Sequence, residues 1–435
     1  MTKRLIPLLI LVVALGSGSL APAQDKLTFK QSVDLVLASS DQVKMAAESV
    51  AGAELKIAES KSMYWPTAGL SGNYTRNSFF GSFDFPMNGQ TFTIKFGLAN
   101  MYRAAVAVNG IIFNWGRTAR TVDLSRAGLT LAEDGVDMAK HMIGYQVVPF
   151  FYGTVFFREA IQVLEDNRRA FEKKLEIMTE RYKAGLASSF ETNLIQVQMA
   201  SLEGQKLDFE NNIAKFRIAF NALAGRPEEA PFAPDAGLVF QPADFNRDEL
   251  LKEAFANRVE FRQVDHQVML NEASLGLAKT ANKPTVAAAF NYEFRNGFMP
   301  VVEEIHGNWT ALLTVNYPAF DGFRTKAQVA QAESMLRQTE LRRSDVERTV
   351  TIEVESALSD LRTIEKKMEI EKLKIKQAQD ALRIAEERFQ NGLLSATDFV
   401  DAQNAVESAR LNALQLVYGH ILGEYTLFRA CGRKL

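Results

Sequence analysis

Cysteine occurs once in the 435 residues, at Cys431, so no intrachain disulfide and no Cys-x-x-Cys pair for redox work or zinc can form. Histidine is almost as scarce. His141, His266, His306 and His420 are scattered, and the chain has no His-Glu-x-x-His, no P-loop, no Gly-x-Ser-x-Gly and no glycine-rich phosphate cradle opening a helix. Neither catalytic residues, nor a metal-ligand set, nor a cofactor site is therefore expected, and the chain does not read as an enzyme. An excess of one charge is missing too: 50 Lys and Arg stand against 52 Asp and Glu, a net charge of -2, which leaves no electrostatic case for a nucleic-acid partner. Beyond residue 23 no window of 18 or more residues is free of charge, so no membrane-spanning helix is expected in the mature chain. With 47% hydrophobic and 23% charged residues the chain has ample material for a large core, and wholesale disorder is excluded.

What is present begins with a targeting segment. Lys3 and Arg4 precede the apolar run from Leu5 to Leu15, and small residues follow, ending in Ala21-Pro22-Ala23. This is the pattern of a secretory signal peptide over 1–23, cleaved after Ala23, and its apolar run is too short to span a bilayer. No cysteine stands near Gln24, so acylation at that point is excluded. An exported chain without a membrane helix is either soluble or a β-barrel.

The chain is written twice. Arg181-Tyr182-Lys183-Ala184-Gly185-Leu186-Ala187-Ser188 returns 207 residues later as Arg388-Phe389-Gln390-Asn391-Gly392-Leu393-Leu394-Ser395, and eight of 22 positions are identical over 175–196 against 382–403. Earlier the offset is 218, pairing Pro66-Thr67 with Pro284-Thr285 and Asn73-Tyr74 with Asn291-Tyr292. The first copy thus carries 11 extra residues, placed in the turn-rich, aromatic stretch Phe79 to Gln90 as a lengthened external loop. The expected division is a first repeat over 24–225, a proline-rich extended crossover over 226–246, a second repeat over 247–430 and a tail over 431–435, with neither repeat an independent domain.

Each copy reads as a helix of about 35 residues (28–63; 247–281), a pair of strands, a very long helix, a tight turn and a second long helix. The expected strands alternate with period two. In the first copy Ala68, Leu70, Gly72 and Tyr74 share one face, and Phe92, Ile94, Phe96 and Leu98 share another. In the second copy Val286, Ala288, Phe290, Tyr292 and Phe294 line one strand and Trp309, Ala311, Leu313, Val315 and Tyr317 the other. Runs of about 9 to 11 residues are long enough for tilted strands to cross a membrane. Two hairpins packed on helices would show the same alternation.

Along the second long helix Val354, Ala357, Leu361, Ile364, Met368, Ile375, Ala378, Leu382, Ala385 and Phe389 are spaced alternately by three and four, interrupted only by Glu371. Phe399, Ala402, Val406, Ala409, Ala413 and Leu416 continue the rhythm, so the two helices form an antiparallel coiled-coil hairpin, roughly 100 Å long at the helical rise. Gly144 and Pro149 predict a kink in the matching helix of the first copy. At the turns, Gly185 and Gly392 stand where a helix end takes a left-handed residue, and Ser188 with Glu191 and Ser395 with Asp398 have capping-box spacing.

The signal peptide, the repeated order of elements and the tip pattern Arg-[Tyr/Phe]-x-x-Gly-Leu-x-Ser together resemble the TolC family of outer-membrane efflux proteins, from about Leu27 to Phe428. Trp65-Pro66, Phe113-Asn114-Trp115-Gly116-Arg117 and Pro318-Ala319-Phe320-Asp321-Gly322 add to the likeness. The resemblance implies a mainly α protein with a membrane β part: a homotrimer with an α-barrel and a 12-stranded β-barrel, four strands per chain, in the outer membrane and its lipid. It implies an exit duct for tripartite efflux or type I secretion, passively conducting substrate supplied through a periplasmic adaptor by an inner-membrane pump of the RND or ABC type. Adaptor docking would fall on Arg181, Gly185, Leu186 and Ser188 and on Arg388, Gly392, Leu393 and Ser395; the two leucines carry that case, because a turn does not require them. Asp398 and Asp401 align with acids that ring the closed periplasmic entrance of family members, while Leu394 replaces a basic residue and argues against a salt-bridge latch there. The rival is a soluble periplasmic coiled-coil scaffold or adaptor, which has no need for four membrane-length strands.

Overall fold

The computed structural model of the chain describes residues 26–78, 81–298 and 301–435, so the expected signal segment lies outside the described residues. In chain order the elements are β1 (Lys26–Leu27), α1 (Phe29–Ser39), α2 (Asp41–Ser62), β2 (Thr67–Arg76), β3 (Gly81–Met87), β4 (Gln90–Phe96), β5 (Asn100–Phe113), α3 (Arg117–Lys183) and α4 (Ser189–Leu223). They continue as β6 (Ala233–Pro234), α5 (Arg247–Asn257), α6 (Val259–Ala278), β7 (Thr285–Arg295), β8 (His306–Asn316), α7 (Arg324–Gln390) and α8 (Ala396–Ala430). The long helices match in length between the copies: α3 and α7 have 67 residues each, α4 and α8 have 35 each.

The chain divides into two compact units, each drawing on both halves of the sequence. Of the described residues, those within Ser39–Tyr145, Pro242–Thr363 and Gly423–Leu435 form one, called the strand unit, and those within 26–38, Gln146–Gln241 and Ile364–Leu422 form the other, called the tip unit. Neither is one copy of the repeat.

In the strand unit β2, β5, β7 and β8 form one antiparallel sheet in that order. The second barrel strand of the first copy is therefore β5, and the expected strand over 91–98 is corrected. Residues 91–96 belong to β4, which pairs with β3 in a separate hairpin. The expected external loop over Phe79 to Gln90 is accordingly half of a β-hairpin. The physical reason is its turn: Asn88 and Gly89 both take positive φ, 51° and 80°, the type I′ geometry that closes a two-residue hairpin. β4 alternates well, but its partner is local.

The expected 35-residue helices are also corrected. Each is broken once, at Ser40 between α1 and α2 and at Arg258 between α5 and α6. Arg258 leaves the helical region at φ -65°, ψ 126°, and Gly432 nests against the break so closely that a Cβ there would lie 2.9 Å from the Arg258 nitrogen. Around it Leu250, Ala254, Val264, Val346, Val350, Val354, Leu361, Leu427 and Cys431 form the helical core of this unit. Burial pushes the Cys431 thiol up to about 11, so it stays protonated as a small apolar filler.

In the tip unit α3, α4, α7 and α8 bury Leu164, Phe171, Met178, Ile195, Leu202, Phe389, Phe399 and Val400. The crossover is extended as its prolines dictate: β6 pairs in parallel with β1, and Phe232 stacks on Phe220 with ring centroids 3.9 Å apart. α3 continues as one helix through Gly144 and Pro149. α3 also has one window long and apolar enough to cross a membrane, but half of it is buried in the protein, as in a packed core helix.

Candidate functional site

The sheet of the strand unit has two unlike faces. Register places Leu70, Val106, Tyr292 and Trp309 in one row across all four strands, with Val108, Phe290 and Ala311 in the next. These side chains share a face because alternate residues of a strand point the same way. The face is exposed: Leu70, Tyr74, Tyr102, Val106, Phe290, Tyr292, Trp309, Leu313 and Val315 all stand open, and no element among the described residues covers them. Soluble monomers rarely leave so large a contiguous apolar patch in water.

The opposite face carries Thr67, Ser71, Asn73, Arg103, Asn291, Glu293, Asn308, Thr310 and Thr314 by the same register. Glu293, only 7% exposed, accepts from Arg103 Nε at 2.6 Å and lies 3.2 Å from Arg295 Nε. This triad joins β5 to β7 on the polar side. The sequence reading missed Arg103, because β5 had not been recognised as the pairing strand.

Where strands hand over to long helices, the backbone turns sharply through paired left-handed residues: Trp115 and Gly116 in one copy, Gly322 and Phe323 in the other. A bulky aromatic at positive φ is costly, so local bonds must hold it there. Asn114 Nδ2 donates to Thr118 Oγ1 at 2.7 Å, and Thr325 donates from its backbone nitrogen and hydroxyl to Asp321 Oδ2 at 3.0 and 2.5 Å. Exposed Tyr64, Trp65, Trp115, Tyr317, Phe320 and Phe323 gather at these handovers, the residue class that anchors membrane proteins at the water–lipid boundary.

The two tips belong to the tip unit and are built alike. Gly185 and Gly392 have φ of 73° and 74°. Leu186 N–H donates to Arg181 O and Leu393 N–H to Arg388 O, both at 2.8 Å, while Gly185 N–H reaches Tyr182 O and Gly392 N–H reaches Phe389 O. This is the Schellman helix end, and α4 and α8 end the same way at Gly225 and Gly432. Capping of the next helix is divided between acid and serine. Ser188 N–H donates to Glu191 Oε2 at 2.9 Å, whereas Asp398 N–H donates to Ser395 Oγ at 3.1 Å. Leu186 and Leu393 are 78% and 76% exposed.

The tips differ in one respect that the sequence concealed. Arg181 reaches across to the other tip, donating to Phe389 O at 3.1 Å and Gln390 O at 2.5 Å with its guanidinium over the Phe389 ring. It takes the Gln390 carbonyl, which accepts no other bond among the described residues, and a second lone pair of the Phe389 carbonyl, which already accepts the Gly392 N–H. Arg388 is exposed and makes no such bond among the described residues. Asp398 and Asp401 are both exposed on α8; Asp398 is engaged in capping, and Asp401 makes no hydrogen bond or ion pair among the described residues.

Higher on the same helices lies a buried polar cluster. Asn167 donates to Glu407 and accepts from Gln403 Nε2 at 2.6 Å, and Gln198 Nε2 donates to Asn404 Oδ1 at 3.0 Å. Burial raises the Glu407 pKa, only partly offset by the Asn167 bond. These residues sit among heptad positions and fix which helix faces which; the departure of Gln403 and Glu407 from an apolar stripe was the available signal.

A free-edged sheet with one apolar and one polar face, joined by aromatic collars to long helical hairpins, defines a multi-chain membrane barrel continued by helices. The sequence profile of the outer membrane efflux protein family matches residues 33–226 and 250–433, and the chain belongs to that family. The toluene efflux pump outer membrane protein TtgC of Pseudomonas putida is 18% identical over 351 residues, covering 77% of this chain and 70% of that protein. The cation efflux system protein CusC of Escherichia coli is 19% identical over 329 residues, covering 73% and 70%. Among solved structures, CusC matches with TM-score 0.75 and 16% identity over 93% of this chain and 92% of that one. VceC of Vibrio cholerae matches with TM-score 0.74 and 16% identity over 93% and 96%. The chain is thus an outer-membrane efflux channel, with the α-barrel and β-barrel fold of these proteins. In such a fold an apolar sheet face suits lipid and a polar face suits a water-filled lumen. A soluble scaffold is set aside.

Proposed function

We propose that three copies of this chain assemble into a passive exit duct, closed at its periplasmic end and opened when a periplasmic adaptor and an inner-membrane pump of the RND or ABC type engage it. The observation that carries the reading is the free edge on each side of the sheet. Among the described residues β2 and β8 each have one neighbour only, four strands cannot close a barrel, and membrane barrels need at least eight. Further copies must supply the rest, and three give the 12 strands of the family fold. The Gly185 and Gly392 tips are the docking surface, with Leu186 and Leu393 as exposed apolar contacts. Arg181, Ser188, Arg388 and Ser395 flank them, with Arg181 also bonded to the other tip of its own chain, and the Schellman ends and caps shape the turns. The same reading covers an adaptor of a type I secretion system.

Asp398 and Asp401 are three residues apart on one face of α8, so three copies gather six carboxylates at one constriction. Such a ring attracts cations and repels anions. Asp401, which no capping role occupies, is the gate residue. Replacing Asp401 by Ala raises single-channel conductance in planar bilayers or relieves block by divalent cations; unchanged values for both would remove Asp401 from the gate.

A further inference from the structure

Arg181 bonds from one hairpin tip to the other, and the internal repeat duplicates both ends of that contact. Its acceptors are Phe389 O and Gln390 O, and its guanidinium lies 5.8 Å from the centre of the Phe389 ring. Moving each residue by the repeat offset of 207 turns Arg181 into Arg388, Phe389 into Tyr182 and Gln390 into Lys183. An arginine, an aromatic ring and two terminal carbonyls thus recur at equivalent positions. The recurring set is idle within the chain. Arg388 and Tyr182 are exposed, Tyr182 O accepts only the Gly185 N–H, and Lys183 O accepts nothing among the described residues. Phe389 O likewise accepts a Gly392 N–H at 3.1 Å and still takes Arg181 on its second lone pair.

The other bonds between the hairpins are not repeated. Offset by 207, Asn167 becomes Lys374, Lys174 becomes Ala381, and Asn404 falls on Val197, so the Asn167–Gln403, Lys174–Glu386 and Gln198–Asn404 contacts have no counterpart. Among the described residues, only the arginine clamp survives the duplication intact. Carbonyls at a helix C-terminus carry partial negative charge, and a guanidinium fork matches two of them in a way that a lysine does not.

We propose that Arg388 clamps each protomer to the next, donating to the Tyr182 and Lys183 carbonyls of a second copy of this chain and lying over its Tyr182 ring. This rests on the trimeric reading. Three clamps within chains, made by Arg181, and three between chains, made by Arg388, then alternate around the mouth. Opening the mouth breaks the second set and leaves the first, so each helical hairpin pair moves as a unit.

The test places a benzophenone amino acid at position 388 of the full-length protein in outer membranes. On irradiation, a band of at least two chains that survives boiling, with the cross-link mapping to the 182–183 segment, is the expected result. Chains that run as a heat-modifiable trimer but cross-link elsewhere, or not at all between copies, overturn the clamp and leave the trimer standing. A chain that is not trimeric overturns both. In planar bilayers Arg388→Ala raises the open frequency by about fivefold per clamp lost, the scale of an exposed charge-assisted hydrogen-bond pair. An unchanged open frequency in Arg388→Ala, with an increase in Arg181→Ala, counts against the clamp.

Discussion

Ala311 and Thr310 are neighbours at the middle of β8, and replacing each by arginine separates membrane exposure from every other property of the site. Successive strand residues point to opposite faces, so the two substitutions share depth, strand and charge and differ only in the face they occupy. Ala311 lies in the row with Phe290 and Val108, on the apolar face; Thr310 pairs with Asn291 on the polar one. Arginine on the lipid face at the bilayer midplane costs about 2–4 kcal/mol, against about 0–1 kcal/mol where water reaches it. With three copies per barrel, Ala311→Arg loses about 6–12 kcal/mol per assembly, comparable to the whole stability of a typical domain. Heat-modifiable migration and urea titration of protein refolded into lipid vesicles measure this directly. Ala311→Arg then yields little folded oligomer, while Thr310→Arg folds and shifts conductance toward anions. Equal losses for the two variants, or a larger loss for Thr310→Arg, would refute the assignment of the faces.

Two further outcomes follow from the tip unit. Phe399 is fully buried, stacked on Phe389 at 4.9 Å and edge-on to Phe171; Phe399→Ala costs about 3–5 kcal/mol, lowering the thermal midpoint of helical circular dichroism while the barrel keeps its heat-modifiable migration. A midpoint unchanged by this variant would mean that the core does not hold the tips. Glu407 is an acid whose folded pKa burial has raised, so its contribution is present below the unfolded carboxyl value of about 4.3 and is lost as pH rises through the folded value. Glu407→Gln, which keeps an acceptor for Asn167, is therefore more stable than the parent near neutral pH and shows a flatter stability profile in urea titrations across that range. Lower stability of Glu407→Gln at neutral pH would contradict the desolvation argument.

The sequence alone set the repeat, the compartment signal, the alternation of the strands and the chemistry of the tips, because each is local. A glycine at a helix end, a serine three residues before an acid and a period of two or 3.5 all act within a few residues of themselves. Strand pairing was less legible. β4 alternates more plainly than β5, yet pairing is a choice between partners, and the Asn88–Gly89 turn made the nearer partner win. The breaks at Ser40 and Arg258 were also hidden, since the latter is shaped by the approach of Gly432 from the far end of the chain. The bonds that Arg181 makes to the other tip were hidden too, because its acceptors lie 208 and 209 positions away.

Family and channel class were thus decided by sequence patterns that repeat along the chain. Tertiary structure decided what depends on two distant segments meeting: which strand completes the sheet, which acid is buried, and which of two identical arginines is already taken. Local patterns report what a segment prefers, and only packing reports which partner it gets.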